Sequence, residues 1–202
     1  MLTRVLAVDP LAPDATAVAQ AARVLANGGV VAFPTETFYG LGVAALDAAA
    51  VRRLFALKGR PESRPILVLV DDPARVGALA EVSDTARALM ARHWPGALTL
   101  VLPVRPGVPT ELTAGTGTIG VRQPAHAVAR ALVTALDMPV TAPSANLTGE
   151  APPTTAKEVL RVFEGKLDLV LDGGATAGGM PSTVLDVTVE PPRVLREGAV
   201  RV

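Results

Sequence analysis

The sequence predicts an α/β protein built on a mixed sheet, and three observations carry that prediction. Strand-like and helix-like segments alternate along most of the chain, which is the pattern of a sheet covered by helices. The strand-like segments 98–102 and 118–122 have no helical pattern between them, and neither have the last two, 183–188 and 193–196, so some neighbouring strands must run antiparallel. Half of the 202 residues are hydrophobic, enough apolar material for a single domain with a real core. We therefore expect one domain over 1–202.

Further strands are expected at 4–8, 30–33, 66–70, 139–142 and 168–171, each a short apolar run bounded by turn residues. Helices are expected at 15–27, between Asp14 as cap and Gly28 and Gly29; at 48–57; at 84–93 after Ser83; at 125–136; and at 155–163, where Thr155 and Glu158 have capping-box spacing. Two Gly-rich and Pro-rich loops, 103–117 and 173–182, are long for a compact domain, and such loops are usually functional or mobile.

Composition excludes several classes. Lys plus Arg equals Asp plus Glu at 19 each, so a polyanion meets no general attraction and any anion site must be local. Without cysteine there are no disulfides or thiolate metal sites, and His93 and His126 lie too far apart for ligand spacing. Both read as packing or surface residues. No window approaches 18 uninterrupted apolar residues and no leader pattern opens the chain, so a soluble cytoplasmic protein without membrane attachment is expected.

Four stretches set Gly, Pro and hydroxyl residues against strand ends: FPTETFYGLG at 33–42, KGRPESRP at 58–65, TIGVRQP at 118–124 and TAPSANLTG at 141–149. In an α/β sheet, ligands bind where such loops gather beyond strand ends, so one shared cleft is expected. The first stretch offers Thr35, Glu36, Thr37 and Tyr39, although taken alone it reads as a tight turn. The second carries Lys58, Arg60 and Arg64 between stiffening prolines, with two guanidinium forks and one mobile ammonium suited to phosphate oxygens. A solvated charged loop is the equally weighted alternative. Arg122 follows an apolar strand and suits a small carboxylate. Ser144 and Asn146, two residues apart on an extended segment, would present both side chains to one ligand, or form an ordinary turn. The surroundings of Ser144 are not G-x-S-x-G. GLGVAA and GTGTIG lack the strand-turn-helix context of a dinucleotide fingerprint, and there is no Walker loop. With no carboxylate cage in the sequence, Mg2+ would arrive on substrate phosphates.

In order and spacing, PTETFYGLG, the K-x-R of Lys58 and Arg60, TIGVRQP, the S-x-N of Ser144 and Asn146, PSTVLD at 181–186 and VLREG at 194–198 resemble the YrdC family of threonylcarbamoyl-AMP synthases, in its short form. The resemblance implies a twisted mixed sheet with a concave, locally basic cleft. It implies an enzyme that joins L-threonine, bicarbonate and ATP into threonylcarbamoyl-adenylate and pyrophosphate for the t6A37 modification of tRNA, its product passing to a separate transferase complex. Weak contact with tRNA itself stays open. Carried over by motif, Lys58, Arg60 and Arg64 would hold the triphosphate, with Lys58 and Arg60 catalytic. Thr118, Ser144, Asn146, Pro152 and Arg196 would contact the nucleotide. Arg122 and Ser182 would take the threonine carboxylate, with Thr35, Thr37, Tyr39 and Ala142 around the rest of the amino acid. Many members carry histidine at the place of Leu69.

Two other classes stay open. An RNA-binding or ribosome-associated module could use a basic concave face, although zero net charge and 3% aromatic residues speak against it. A carbamoyl-phosphate-dependent, carbamoyl-adenylate-forming module would share the fold and take a different donor.

Overall fold

The computed structural model describes residues 2–61, 63 and 65–202. Its strands are β1 (Arg4–Ala7), β2 (Val31–Pro34), β3 (Tyr39–Gly42), β4 (Val68–Leu69), β5 (Leu98–Pro103), β6 (Thr118–Arg122), β7 (Val140–Thr141), β8 (Leu169–Asp172), β9 (Thr183–Asp186) and β10 (Arg193–Arg196). Its helices are α1 (Ala15–Ala26), α2 (Ala48–Lys58), α3 (Val76–Leu79), α4 (Asp84–His93), α5 (Thr110–Thr113), α6 (Ala127–Leu136) and α7 (Ala156–Phe163), with a 3₁₀ turn at Pro73–Arg75.

The mixed α/β class is borne out, in two sheets ordered β1-β8-β2-β3 and β10-β9-β5-β6-β4-β7. The expected antiparallel neighbours are present: β5 pairs β6 and β9 pairs β10 in that sense. The sheets are stitched together by the flank of β3. Leu41 N–H donates to Pro143 O at 2.8 Å, Ala145 N–H to Tyr39 O at 2.8 Å, Thr141 N–H to Val43 O at 3.1 Å and Ala45 N–H to Pro139 O at 2.9 Å. All four share one antiparallel register, so the segment after β7 is locked to the strand after the first candidate loop.

Strand alternation sorts side chains onto two faces. On β2 and β8, Val31, Phe33, Leu169 and Leu171 join α1 and α6 in one apolar cluster. Ala32 and Val170 join the other, with α2, α4 and α7. On β5, Leu98, Leu100 and Leu102 are core, whereas Thr99 and Val101 face a cleft.

Local signals place most ends. The Asp14 carboxylate accepts from Ala17 N–H, that of Asp47 from Ala49 and Ala50, and the Ser83 hydroxyl from Ala86. Thr155 and Glu158 form the capping box that their spacing predicts. His126 is not a passive surface group, since its Nδ1 accepts from Val128 N–H and caps α6. Two elements depart from expectation. The stretch 39–42 is a strand of a hairpin with β2, despite glycines that weaken strand propensity. A Cβ on Gly42 would lie 2.8 Å from both Phe33 and Val140 side chains, so close packing of the two sheets requires glycine there. The loop 103–117 contains α5, whose Leu112 is fully buried and accepts Ile66 N–H through its carbonyl.

Candidate functional site

A cleft of about 700 Å³ opens where the sheets meet. The four stretches singled out in the sequence meet in it, joined by segments around 179–184 and 195–196. Every site residue named from the sequence lines it except Arg64, which lies outside the described residues.

The cationic corner is set by the end of α2. Gly59, at φ +57°, stops the helix in the left-handed conformation, so Lys58 is the last helical residue and Arg60 N–H returns to Phe55 O. Lys58 is only 2% exposed. Its ammonium donates to the backbone oxygens of Ser144 and of Asn146, the latter at 2.6 Å. Burial, and then the charge of Arg60, push its pKa down to about 8. The Arg60 guanidinium bonds Pro65 O at 2.8 Å across the proline turn.

The S-x-N pair therefore acts chiefly through its backbone. Ser144 and Asn146 hold Lys58 with their carbonyls, and the Asn146 amide is used in tying Leu147 O and Glu150 O. Its buried Oδ1 has no partner among the described residues. Both expected forms coexist: a local turn, and a wall of the cleft. Ala142 and Pro152 contribute only surface to it.

The first stretch likewise is both turn and wall. Thr35 Oγ1 donates to Phe38 O at 2.7 Å and accepts from Thr37 and Phe38 N–H groups, which exhausts it. Thr37 Oγ1 lies 3.1 Å from it and donates to nothing else described. Tyr39 turns its hydroxyl away to Gly174 O at 2.7 Å, so it pins the 173–182 loop. Burial and the charge of Asp172 push that phenol well above its ordinary range. Gly178 N–H caps Thr37 O from the same loop.

The floor is Arg122, at the end of β6 and 4% exposed. Its Nε donates to Gly96 O at 3.1 Å and its Nη2 forms an ion pair with Glu36. Burial alone would raise the Glu36 pKa, but the Arg122 charge and the hydrogen bonds it accepts outweigh that and hold its carboxyl below the usual range. Beside this floor, Arg196 donates to Ser182 O and Oγ, the latter at 3.0 Å, and Ser182 Oγ lies 2.9 Å from Thr99 Oγ1. Burial and the neighbouring Arg122 lower the Arg196 pKa. Thr118 sits on the next strand with its hydroxyl 3.0 Å from Thr116.

Sequence reasoning named Glu36 without giving it a role and passed over Thr99. Thr99 is a hydroxyl at an inner position of an otherwise apolar strand, a signal that alternation alone could have raised. Leu69, where many members of the family carry histidine, lies away from the site. It is fully buried against the α1 and α6 cluster and does not line the cleft, because β4 turns that position to the core. Among the described residues there is no cluster of three His, Cys, Asp or Glu side chains able to hold a metal, and no helix is long and apolar enough to cross a membrane.

Residues 23–198 match the family model Sua5_yciO_yrdC, described as "Telomere recombination". A threonylcarbamoyl-AMP synthase of Pyrococcus abyssi is 46% identical over 88% of this chain and 53% of its own length. Another, of Thiobacillus denitrificans, is 42% identical over 81% of this chain and 87% of its own. The crystal structure titled P. abyssi Sua5 complexed with L-threonine superposes with a TM-score of 0.94 at 43% identity, covering 97% of this chain and 58% of that one. The chain thus spans about half the length of the archaeal relative and nearly all of the shorter bacterial one. With a family model over residues 23–198 and a relative's fold matched at a TM-score of 0.94, this chain belongs to the Sua5/YciO/YrdC family.

Proposed function

We propose that this protein is an L-threonylcarbamoyladenylate synthase, a nucleotidyltransferase that makes threonylcarbamoyl-adenylate and pyrophosphate from L-threonine, bicarbonate and ATP. One observation carries the reading: a single cleft holds a buried ammonium, Lys58, that has no carboxylate partner among the described residues, and also a buried guanidinium, Arg122, shaped by one carboxylate. The first suits a polyphosphate, the second a single carboxylate. The relatives named as threonylcarbamoyl-AMP synthases, and the relative crystallised with L-threonine, support the same assignment.

In this reading Lys58 and Arg60, with Arg64, bind the triphosphate, and Ser144, Asn146, Thr118, Pro152 and Arg196 border the nucleoside. Arg122 and Ser182 take the threonine carboxylate, and Thr35, Thr37, Tyr39 and Ala142 shape the space for its side chain and amine. The amine captures bicarbonate with loss of water, or the CO2 that bicarbonate gives on losing hydroxide with loss of a proton from the amine, forming an N–C bond and a carbamate. The carbamate oxygen then attacks the α-phosphorus, and the bond to pyrophosphate breaks. The protein contributes position and positive charge, which suffice for much of the rate in transfers of this kind. Mg2+ enters as part of the ATP substrate, held by phosphates and water. The cleft draws on residues from Thr35 to Arg196, so 1–202 acts as one unit. Its product supplies t6A37 formation by a tRNA threonylcarbamoyl-transferase complex, in the cytoplasm where tRNA is modified.

The test is pyrophosphate release by the purified protein with Mg2+, ATP, bicarbonate and L-threonine, each omitted in turn, with the product's mass determined. Release that needs all three substrates and yields the threonylcarbamoyl-adenylate mass is expected. Release with carbamoyl phosphate in place of threonine and bicarbonate would overturn the assignment.

A further inference from the structure

Arg122 raises a problem of placement. A guanidinium buried to 4% exposure is costly without partners, and its protein partners hold only part of it. Nε donates to Gly96 O, and Nη2 meets the Glu36 carboxylate as an ion pair without a hydrogen bond. Nη1 has no protein partner among the described residues, and Arg122 lines the cleft. Glu36 itself does not line the cleft. It stands behind Arg122, and the oxygen that pairs with Arg122 also accepts Ala125 N–H at 3.2 Å. Its backbone belongs to the turn whose Thr35 and Thr37 form the neighbouring wall. One side chain therefore spans from the hairpin loop between β2 and β3 to the connection between β6 and α6.

We propose that Glu36 is a positioning residue for the substrate's carboxylate: its reach fixes Arg122 with Nη1 presented to the cleft and clamps the threonine-side walls to each other. This rests on the function proposed above. Glu36 is not catalytic, since it does not touch the cleft. Its charge and its length make opposite demands on the site. The charge partly neutralises Arg122 and so weakens its pull on a second carboxylate. The length holds the guanidinium in one orientation, sparing the ordering cost that a free arginine would incur on binding. Reach is therefore the property to be tested against charge.

Two substitutions separate them. Glu36→Gln keeps the length and an oxygen able to accept from Arg122 and Ala125 but removes the charge. Glu36→Asp keeps the charge but is one methylene too short to reach both. Titration calorimetry of the full chain with L-threonine is expected to find Glu36→Gln within about threefold of wild type and Glu36→Asp weakened about tenfold, the scale of one released long side chain. ATP binding in both should stay within about twofold of wild type, a split that general loosening of the fold would not produce. Wild-type threonine affinity in Glu36→Asp, or a larger loss in Glu36→Gln than in Glu36→Asp, overturns the proposal, as does an equal loss of ATP and threonine affinity. If wild type binds no threonine, both this inference and the synthase reading fall. If wild type binds it and only the order of the variants is wrong, the role of Glu36 alone falls.

Discussion

The two buried cations of the cleft are solved in different ways. Lys58 is surrounded by dipoles: its ammonium is held by the carbonyls of Ser144 and Asn146 and has no carboxylate partner among the described residues. Arg122 has a carbonyl on one nitrogen and a carboxylate on another. Dipoles orient a charge without cancelling it, whereas a carboxylate cancels most of it at distance. The Lys58 ammonium thus is oriented without being cancelled, its pKa lowered by burial and by Arg60, and suits a ligand with charge to spare. The Arg122 guanidinium is paired with one carboxylate and geometrically fixed, and suits recognition of one small planar group.

That contrast can be broken from either side. The largest effect is expected for Arg122→Met, which leaves the Glu36 carboxylate without its counter-ion. Stranding a buried partner in this way costs about 3–5 kcal/mol, read as a melting temperature roughly 10 °C lower, together with loss of threonine-dependent turnover. An unchanged melting temperature would mean that Glu36 finds water, and that the corner is not a closed pair. Lys58→Met should spare the fold, because it removes a desolvated charge along with its hydrogen bonds. Turnover should fall about 10²–10³-fold, checked by pyrophosphate release beside a circular dichroism spectrum. Retained turnover would take Lys58 out of the chemistry.

Titration sharpens the same difference. The folded pKa of Lys58 is depressed from 10.5 to about 8. Between those values the unfolded chain still binds a proton that the folded chain has released, so stability rises with pH across that window. The gain totals roughly 3 kcal/mol and should be absent in Lys58→Met melts run over the same pH series. Catalysis should move oppositely, falling as pH passes about 8 and the ammonium is lost. The smallest effect is expected for Tyr39→Phe, which frees the 173–182 loop from the bond to Gly174 O. A loss of about 1 kcal/mol and faster amide exchange at Gly173, whose N–H donates to that hydroxyl, are expected, with ATP affinity unchanged.

Glu36 shows where reading a sequence stops. It was visible between two threonines directly after a buried strand, but its partner lies 86 residues away on another sheet, and nothing local announces a pair at that separation. Tyr39 was visible too, and its place in the cleft wall was anticipated. The direction of its hydroxyl was not, because that depends on a backbone carbonyl 135 residues on. The glycines at 40 and 42 argued for a turn by propensity, yet packing between two sheets made a strand of them.

By itself, the sequence determined the alternating elements, the caps at Asp14, Ser83 and Thr155, and the concentration of chemistry in four short stretches. Those are local properties of backbone sterics, capping and hydrophobic period, readable within a few residues. Tertiary structure alone decided that the four stretches share one cleft, that Lys58 is held by carbonyls and Arg122 by a carboxylate, and that β3 joins two sheets. Burial decided each of these, because a charge taken out of water must find its partners wherever the fold supplies them.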